Sequence, residues 1–376
     1  MKKTDDRYFY LAFSLIEGIG PVRFKLLLDY FGSVQKAWEA SKTELEKIGL
    51  HQKIVEQIVE KQKTFRFDTY ITDLAKKEIS FLTIVDHDYP ELLKQISDPP
   101  FVLFVKGKLV KEDILAVGIV GTRYPSSYGR EVTERVSSDL AVSGITIVSG
   151  MARGVDSVAH RSALEVGGRT IAVLGCGIDI IYPPENRQLY YDIAKNGAVV
   201  SEFPAGMMVT RGLFPARNRI ISGLSRGIIV TEGAKDSGSL ITAGDAAKQG
   251  RDVFAVPGAI TNPLSAAPLS LMKDGAKIIT SAKDVLDELG IIYGTLKNHD
   301  PALTKATAGE PVRKSFRAES PLEEAIFSIL AGGGLHIDKL IRQLKNKPEE
   351  VLPTITLMEM QGKIKNVGNM TYALNI

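Results

Sequence analysis

Ile145-Thr146-Ile147-Val148-Ser149-Gly150-Met151-Ala152-Arg153-Gly154-Val155-Asp156 runs from a β-branched apolar stretch, through a glycine-rich turn, into a segment of helical periodicity from Val155 to Val166. The same pattern recurs on both sides. Leu115 to Val120 leads into Gly121-Thr122-Arg123, and Thr170 to Leu174 leads into Gly175-Cys176-Gly177. Gly227 to Thr231 leads into Glu232-Gly233-Ala234-Lys235-Asp236-Ser237-Gly238-Ser239, and Asp252 to Val256 leads into Pro257-Gly258. Ala198 to Ser201 and Lys277 to Thr280 complete the series, with helical segments such as Gly129 to Val142 between most runs. Nearly continuous apolar strands alternating with helices predict a mostly parallel sheet covered on both faces, an α/β doubly wound, Rossmann-like domain.

We assign residues 80–292 to this domain. Phe81 to Val85 and Phe101 to Val105, separated by the turn-rich stretch Asp86 to Pro100, read as strands that introduce it. Residues 1–79 read as a small helical domain. Leu15-Ile16-Glu17-Gly18-Ile19-Gly20-Pro21-Val22 resembles a helix-hairpin-helix turn, and Leu45 to His51 resembles a second copy that keeps only Gly49. Such turns let two helices meet tightly, and their free N–H groups can hold a phosphate, so both uses stay open. Residues 293–320, with Asn298, Asp300, Pro301, Gly309 and Pro311, read as a linker. Residues 321–376 show helical segments at Leu322–Leu330, Ile337–Leu344 and Pro348–Met360. Two short strands follow around Gly368-Asn369, which together predicts a winged helix. Its six basic and six acidic residues balance, so it suits a protein partner or plain packing as well as DNA.

Of the 376 residues, 44% are hydrophobic and 24% charged, the balance of a globular protein rather than of a disordered chain or a fibre. The single cysteine, Cys176, rules out an intrachain disulfide and a thiolate metal cluster. No apolar run approaches the roughly 20 residues that span a bilayer, so no membrane role is expected. The opening Met1-Lys2-Lys3-Thr4-Asp5-Asp6 does not read as a signal peptide, which makes the cytoplasm the default compartment. Net charge is +3 and names no partner. Between Gly118 and Thr280, however, 12 arginines face 5 lysines, and the planar guanidinium suits phosphate oxygens. Ordinary surface ion pairs are the alternative.

In a doubly wound sheet, ligands bind outside the carboxyl ends of the strands. Five turns rich in Gly, Ser or Thr on that one edge point to a polyanion site, because glycine lets the backbone approach a ligand and helix N-termini offer N–H groups. No dinucleotide fingerprint follows the first strand, and no phosphate-loop lysine exists. His51, His87, His160, His299 and His336 lack metal-ligand spacing, so no metal and no cofactor are expected. His160 reads as a packing histidine. Gly223-Leu224-Ser225-Arg226-Gly227 matches the nucleophile-elbow pattern but leads from helix into strand, the reverse of what that chemistry needs. In Phe214-Pro215-Ala216-Arg217-Asn218-Arg219, one arginine can fork onto a phosphate while Asn218 offers an amide. Pairing of Arg217 and Arg219 with nearby acids is the competing reading.

Together these segments resemble the DNA-processing protein A family (DprA, also called Smf). The resemblance is carried by Gly121-Thr122-Arg123, Ser149-Gly150 through Asp156 with Ala159-His160, and Thr170 to Gly175. Tyr182-Pro183 with Asn186, Ser201-Glu202, Phe214 to Ile220, Ser237 to Leu240 with Thr242-Ala243, and Ala255 to Gly258 complete it. It implies a non-enzymatic protein, without catalytic residues, that binds single-stranded DNA and dimerises through the Rossmann-like domain. It also implies that the protein loads the recombinase RecA and protects incoming strands during natural transformation. By the same resemblance Gly121, Thr122, Arg123, Ser149, Gly150, Met151, Ala152, Arg153 and Gly154 hold phosphates. Arg217, Asn218 and Arg219 would lie beside them, with Ser237, Gly238 and Ser239 at the next edge. One departure is visible: Ala267 and Leu269 stand where many members have Gly and Asn.

With 7% aromatic residues the grip should be led by phosphates and tolerant of sequence, and Tyr124 and Phe214 are the aromatics nominated near the edge. Two other functions compete. A nucleotide phosphoribohydrolase shares this kind of fold, but Thr242 falls where its catalytic glutamate belongs, and a hydroxyl is a poor base at neutral pH. A protein-interaction scaffold would rely on the flanking modules instead.

Overall fold

The apolar runs form nine strands: β1 (Ile79–Thr83), β2 (Val102–Gly107), β3 (Ala116–Val120), β4 (Thr146–Ser149), β5 (Thr170–Val173), β6 (Ala198–Ser201), β7 (Gly227–Val230), β8 (Asp252–Ala255) and β9 (Lys277–Ile278). They come from a computed structural model that describes residues 6–210, 212–291, 320–330, 335–344, 346, 348–361, 363–366 and 370–374. One sheet holds them in the order β1-β2-β6-β5-β4-β3-β7-β8-β9. The seven strands from β3 to β9 pair in parallel, while β1 and β2 add an antiparallel border beside β6. Every residue of β3, β4, β5, β6 and β7 is buried, as strands covered on both faces must be.

Six helices precede the sheet: α1 (Arg7–Ser14), α2 (Pro21–Phe31), α3 (Val34–Glu39), α4 (Lys42–Lys47), α5 (Gln52–Thr64) and α6 (Phe67–Lys76). Gly18, at φ +91°, turns the chain between α1 and α2, and a Cβ there would sit 3.1 Å from Ile54 Cδ1 on α5, so the two hairpins meet at this glycine. These helices bury Phe13, Phe24 and Trp38 in a core shared with Phe101, Phe104 and Val199 of the sheet region. The Phe24 and Phe101 rings stack at 3.9 Å and 10°.

Helices α7 (Glu91–Lys94), α8 (Ser127–Val142), α9 (Val155–Glu165), α10 (Arg187–Asn196), α11 (Leu213–Gly223), α12 (Ser239–Lys248), α13 (Ala266–Lys273) and α14 (Ala282–Glu288) complete this unit, Met1–Lys297. Ser225 of the pseudo-elbow lies between α11 and β7, fully buried, and its hydroxyl donates to Ile221 O at 2.8 Å.

His160 on α9 is a packing residue. The Thr170 hydroxyl donates to Ile147 O at 2.7 Å and so accepts from His160 Nδ1–H at 2.6 Å, which fixes the tautomer. Burial holds the imidazole pKa down to about 3 from its ordinary 6.5, so as pH falls the unfolded chain takes this proton first. The stability tied to this group is whole above pH 6.5 and is lost progressively as pH falls toward about 3. We expect His160→Asn to flatten that acid limb in urea melts between pH 7 and pH 4. A variant that loses stability as steeply as the parent chain would refute the assignment.

The second unit, Asn298–Ile376, is described from Ser320 onward, so residues 293–319 of the expected linker lie outside the described residues. Helices α15 (Pro321–Leu330), α16 (Ile337–Leu344) and α17 (Pro348–Met360) pack with a sheet ordered β10-β12-β11, formed by β10 (Leu335–His336), β11 (Ile364–Asn366) and β12 (Thr371–Leu374). This is the winged helix the sequence predicts, and its Gly368-Asn369 turn also lies outside the described residues. Ile326, Leu340, Val351, Ile355 and Met358 form its core, beside a buried Lys363–Glu323 ion pair at 3.0 Å. No helix among the described residues is long and apolar enough to cross a membrane.

Candidate nucleic-acid interface

From β3 the chain builds outward through β4, β5 and β6 on one side, and through β7, β8 and β9 on the other. That reversal between β3 and β7 opens a crevice at the carboxyl ends of the strands. Because β3, β4, β5, β7 and β8 are neighbours and parallel, all five of the glycine-rich turns lie on one rim.

Glycine is required here for close approach. Gly154, at φ +73°, begins α9, and a Cβ would lie 2.4 Å from Thr122 O. With no side chain in the way, Val155 N donates to Thr122 O at 3.1 Å and locks the β4 turn onto the β3 turn. The β7 turn is locked on by Glu232. Its carbonyl accepts from Thr122 N at 2.7 Å, and its buried carboxylate accepts from Ser126 N (2.8 Å), Ser126 Oγ (2.6 Å) and Asn262 Nδ2 (3.2 Å). Gly129 is the glycine that makes room for this carboxylate, since a Cβ there would lie 2.1 Å from Glu232 Oε2. The loop that carries Arg123 is thereby fixed at both ends.

Two clefts open on the rim, and Arg123 and Arg153 border both. The first is shallow, about 20 Å³, and is lined by Gly150, Gly175, Tyr182 and Phe214 as well. Here the Arg123 guanidinium lies 5.7 Å from the centroid of the Phe214 ring, and the Tyr182 ring lies 5.9 Å from it. Cys176 also lines this cleft, but burial pushes its thiol up to about 11, so it is not a thiolate there. The second cleft, about 570 Å³, is a groove between α8 and α9 bordered by Tyr124, Arg130 and Arg161. The structure thus brings Arg123, Gly150, Ala152 and Arg153 to one cleft.

Other predicted residues take different places. Ser149 is fully buried and its hydroxyl donates to Ile119 O at 2.6 Å, so it shapes the turn from below. Met151 is fully buried at φ +55°. Arg217, on α11, is only 5% exposed: Nη1 donates to Val173 O at 2.7 Å, and the guanidinium occupies the space a Gly150 side chain would fill. Burial pushes its pKa down and that of buried Asp156 up, and each charge counters the shift in the other. Arg217 therefore supports the turn instead of facing the cleft.

Arg219 pairs with Glu202 at 2.6 Å and Asp98 at 3.0 Å, the competing reading of the sequence. Asn218 is half-buried between them in sequence. Ser237 and Ser239 bond each other through their hydroxyls at 2.8 Å, and with Gly238 they line neither cleft.

Tyr182 and Asn186 are motif residues to which the sequence assigns no role. Asn186 Nδ2 donates to Met151 O and to Ser157 Oγ, both at 2.9 Å, and holds the β4 turn from the side. The signal for Tyr182 is an aromatic residue before Pro183, five positions after the Gly175–Gly177 turn. Nothing in the local sequence announced Glu232 as the tie between turns. Thr242, at the position a hydrolase glutamate would occupy, is buried at 2% exposure. Among the described residues no cluster of His, Cys, Asp and Glu is arranged for a metal.

Residues 80–290 match the family described as DNA recombination-mediator protein A, and residues 310–369 match the DprA winged helix domain. Protein Smf of Synechocystis is 44% identical over 294 residues, covering 77% of this chain and 74% of that protein. DNA processing protein DprA of Bacillus subtilis is 45% identical over 212 residues, covering 56% of this chain and 71% of that protein. Among solved structures, DNA processing protein A from Streptococcus pneumoniae superposes with a TM-score of 0.66 at 37% identity, covering 77% of this chain and 99% of that one. DNA processing protein A from Helicobacter pylori, described for its unique single-stranded DNA binding mode, gives a TM-score of 0.51 at 32% identity, covering 56% of this chain and 95% of that one. With residues 80–290 and the winged helix domain both matched, this chain belongs to the DNA recombination-mediator protein A family, that of DprA and Smf.

Proposed function

We propose that this protein binds single-stranded DNA along the carboxyl-terminal rim and acts as a recombination mediator, handing the strand to RecA during natural transformation. The observation that carries this reading is the Arg123 guanidinium set 5.7 Å from the Phe214 ring, at the mouth of a cleft with no carboxylate in its lining. A single strand offers a phosphate for the cation and an unstacked base face for the ring, side by side. A duplex keeps its base faces inside. Stacking on an aromatic ring is worth about 1–3 kcal/mol per base whatever the base, so the grip is sequence-tolerant.

The kinship of the chain supports RecA as the partner, a homodimer as the working form, the cytoplasm as its compartment and binding rather than catalysis as its role. Residues 1–79 and 321–376 serve this reading as accessory domains around a binding domain of 80–292.

The test is fluorescence anisotropy of the full chain with labelled oligo-dT and with a duplex of equal length, at two salt concentrations. We expect oligo-dT to bind at least about tenfold more tightly, with a log–log salt slope of about −0.7 for each phosphate engaged. Equal affinity for duplex would overturn the reading.

A further inference from the structure

The two clefts that Arg153 borders differ in charge. The one beside Phe214 has no carboxylate in its lining, whereas the α8–α9 groove carries Glu134, Glu165 and Glu185. In the structure Arg153 Nε bonds the Glu185 carboxylate, which belongs to the short 3-10 turn Pro184–Asn186 that precedes α10. Each side chain is 48% exposed, and among the described residues Arg153 has no second hydrogen-bond partner. The pairing raises the Arg153 pKa and lowers that of Glu185, the mark of a charge-assisted contact. Its position is set by the neighbouring Asn186, whose side chain is tied to Met151 O on the same turn that carries Arg153. Glu185 thus presents a carboxylate oxygen to Arg153 Nε, as a phosphodiester oxygen would. A half-exposed pair of this kind is weak and easily exchanged.

We propose that Glu185 is a built-in stand-in for a backbone phosphate, holding Arg153 on the Glu185 side of the rim until a single strand displaces it. Arg153 then turns to the acid-free cleft and takes a phosphate beside Arg123. The proposal rests on the single-strand reading of the rim given above. Its consequence is that Glu185 lowers affinity for the strand, because part of the Arg153 attraction is satisfied before DNA arrives.

The experiment measures oligo-dT affinity at low salt for the full chain and for its E185Q, R153A, E185Q/R153A and R123A variants, each checked by thermal melting. We expect E185Q to bind about two- to fivefold more tightly, the scale of an exposed ion pair, and the gain to vanish in the R153A background. If E185Q binds no more tightly while R123A is weakened, the stand-in role is overturned and the rim reading survives. A gain that persists in E185Q/R153A would also overturn it, since the effect would then be one of general charge. If R123A and R153A both bind as the parent chain does, the rim reading itself fails and the stand-in role with it.

Discussion

Arg217→Ala lowers the unfolding free energy by about 3–5 kcal/mol and takes oligo-dT binding down with it, although Arg217 does not face the cleft. Three losses coincide. Val173 O loses its donor at 2.7 Å, and a void opens beneath Gly150, whose missing side chain is the space the guanidinium fills. Asp156 keeps its burial but loses the cation that opposes it, so its pKa, already raised by desolvation, climbs further. A buried charge left without its partner is among the most destabilising single changes. Urea melts followed by circular dichroism give the stability, and anisotropy at a temperature where the variant is folded gives the binding. A loss below about 1 kcal/mol would show that the turn does not depend on this arginine.

Arg123→Ala gives the opposite pattern. The side chain is exposed and lies against the Phe214 ring, with no hydrogen bond or ion pair among the described residues, so stability should stay within about 0.5 kcal/mol of the parent. Affinity for oligo-dT falls about tenfold, the value of one charge-assisted phosphate contact. The salt slope shrinks by about 0.7, one phosphate fewer. Unchanged affinity and slope would remove Arg123 from the interface, and the proposed function would lose its main support.

The contrast between these two arginines marks how far the sequence carries. Nearly continuous apolar runs separated by helical segments place β3 to β9 and their turns, since a parallel sheet buried on both faces leaves few other solutions. Chain direction then puts the turns of β3, β4, β5, β7 and β8 on one rim. The need for glycine at Gly150 and Gly154 is visible as composition, but its reasons are the Arg217 guanidinium and the Thr122 carbonyl, which arrive from elsewhere in the chain. Arg217 and Arg219, two residues apart on α11, looked equivalent as candidates. One is buried under the β4 turn and the other is held by Asp98, more than a hundred residues away, and by Glu202. Local pattern carries no record of such partners. Likewise the wedge of six helices before the sheet reads as a separate domain, yet its aromatic side chains share a core with Phe101 and Phe104.

What the sequence determined by itself is therefore the sheet, the edge at which a ligand can be met, and the backbone freedom of that edge, because periodicity and chain direction are local properties. What only the tertiary structure decided is which cations remain available there. An arginine serves a phosphate when no buried carboxylate already holds it and water still reaches it, and both conditions are set by residues brought together from distant parts of the chain.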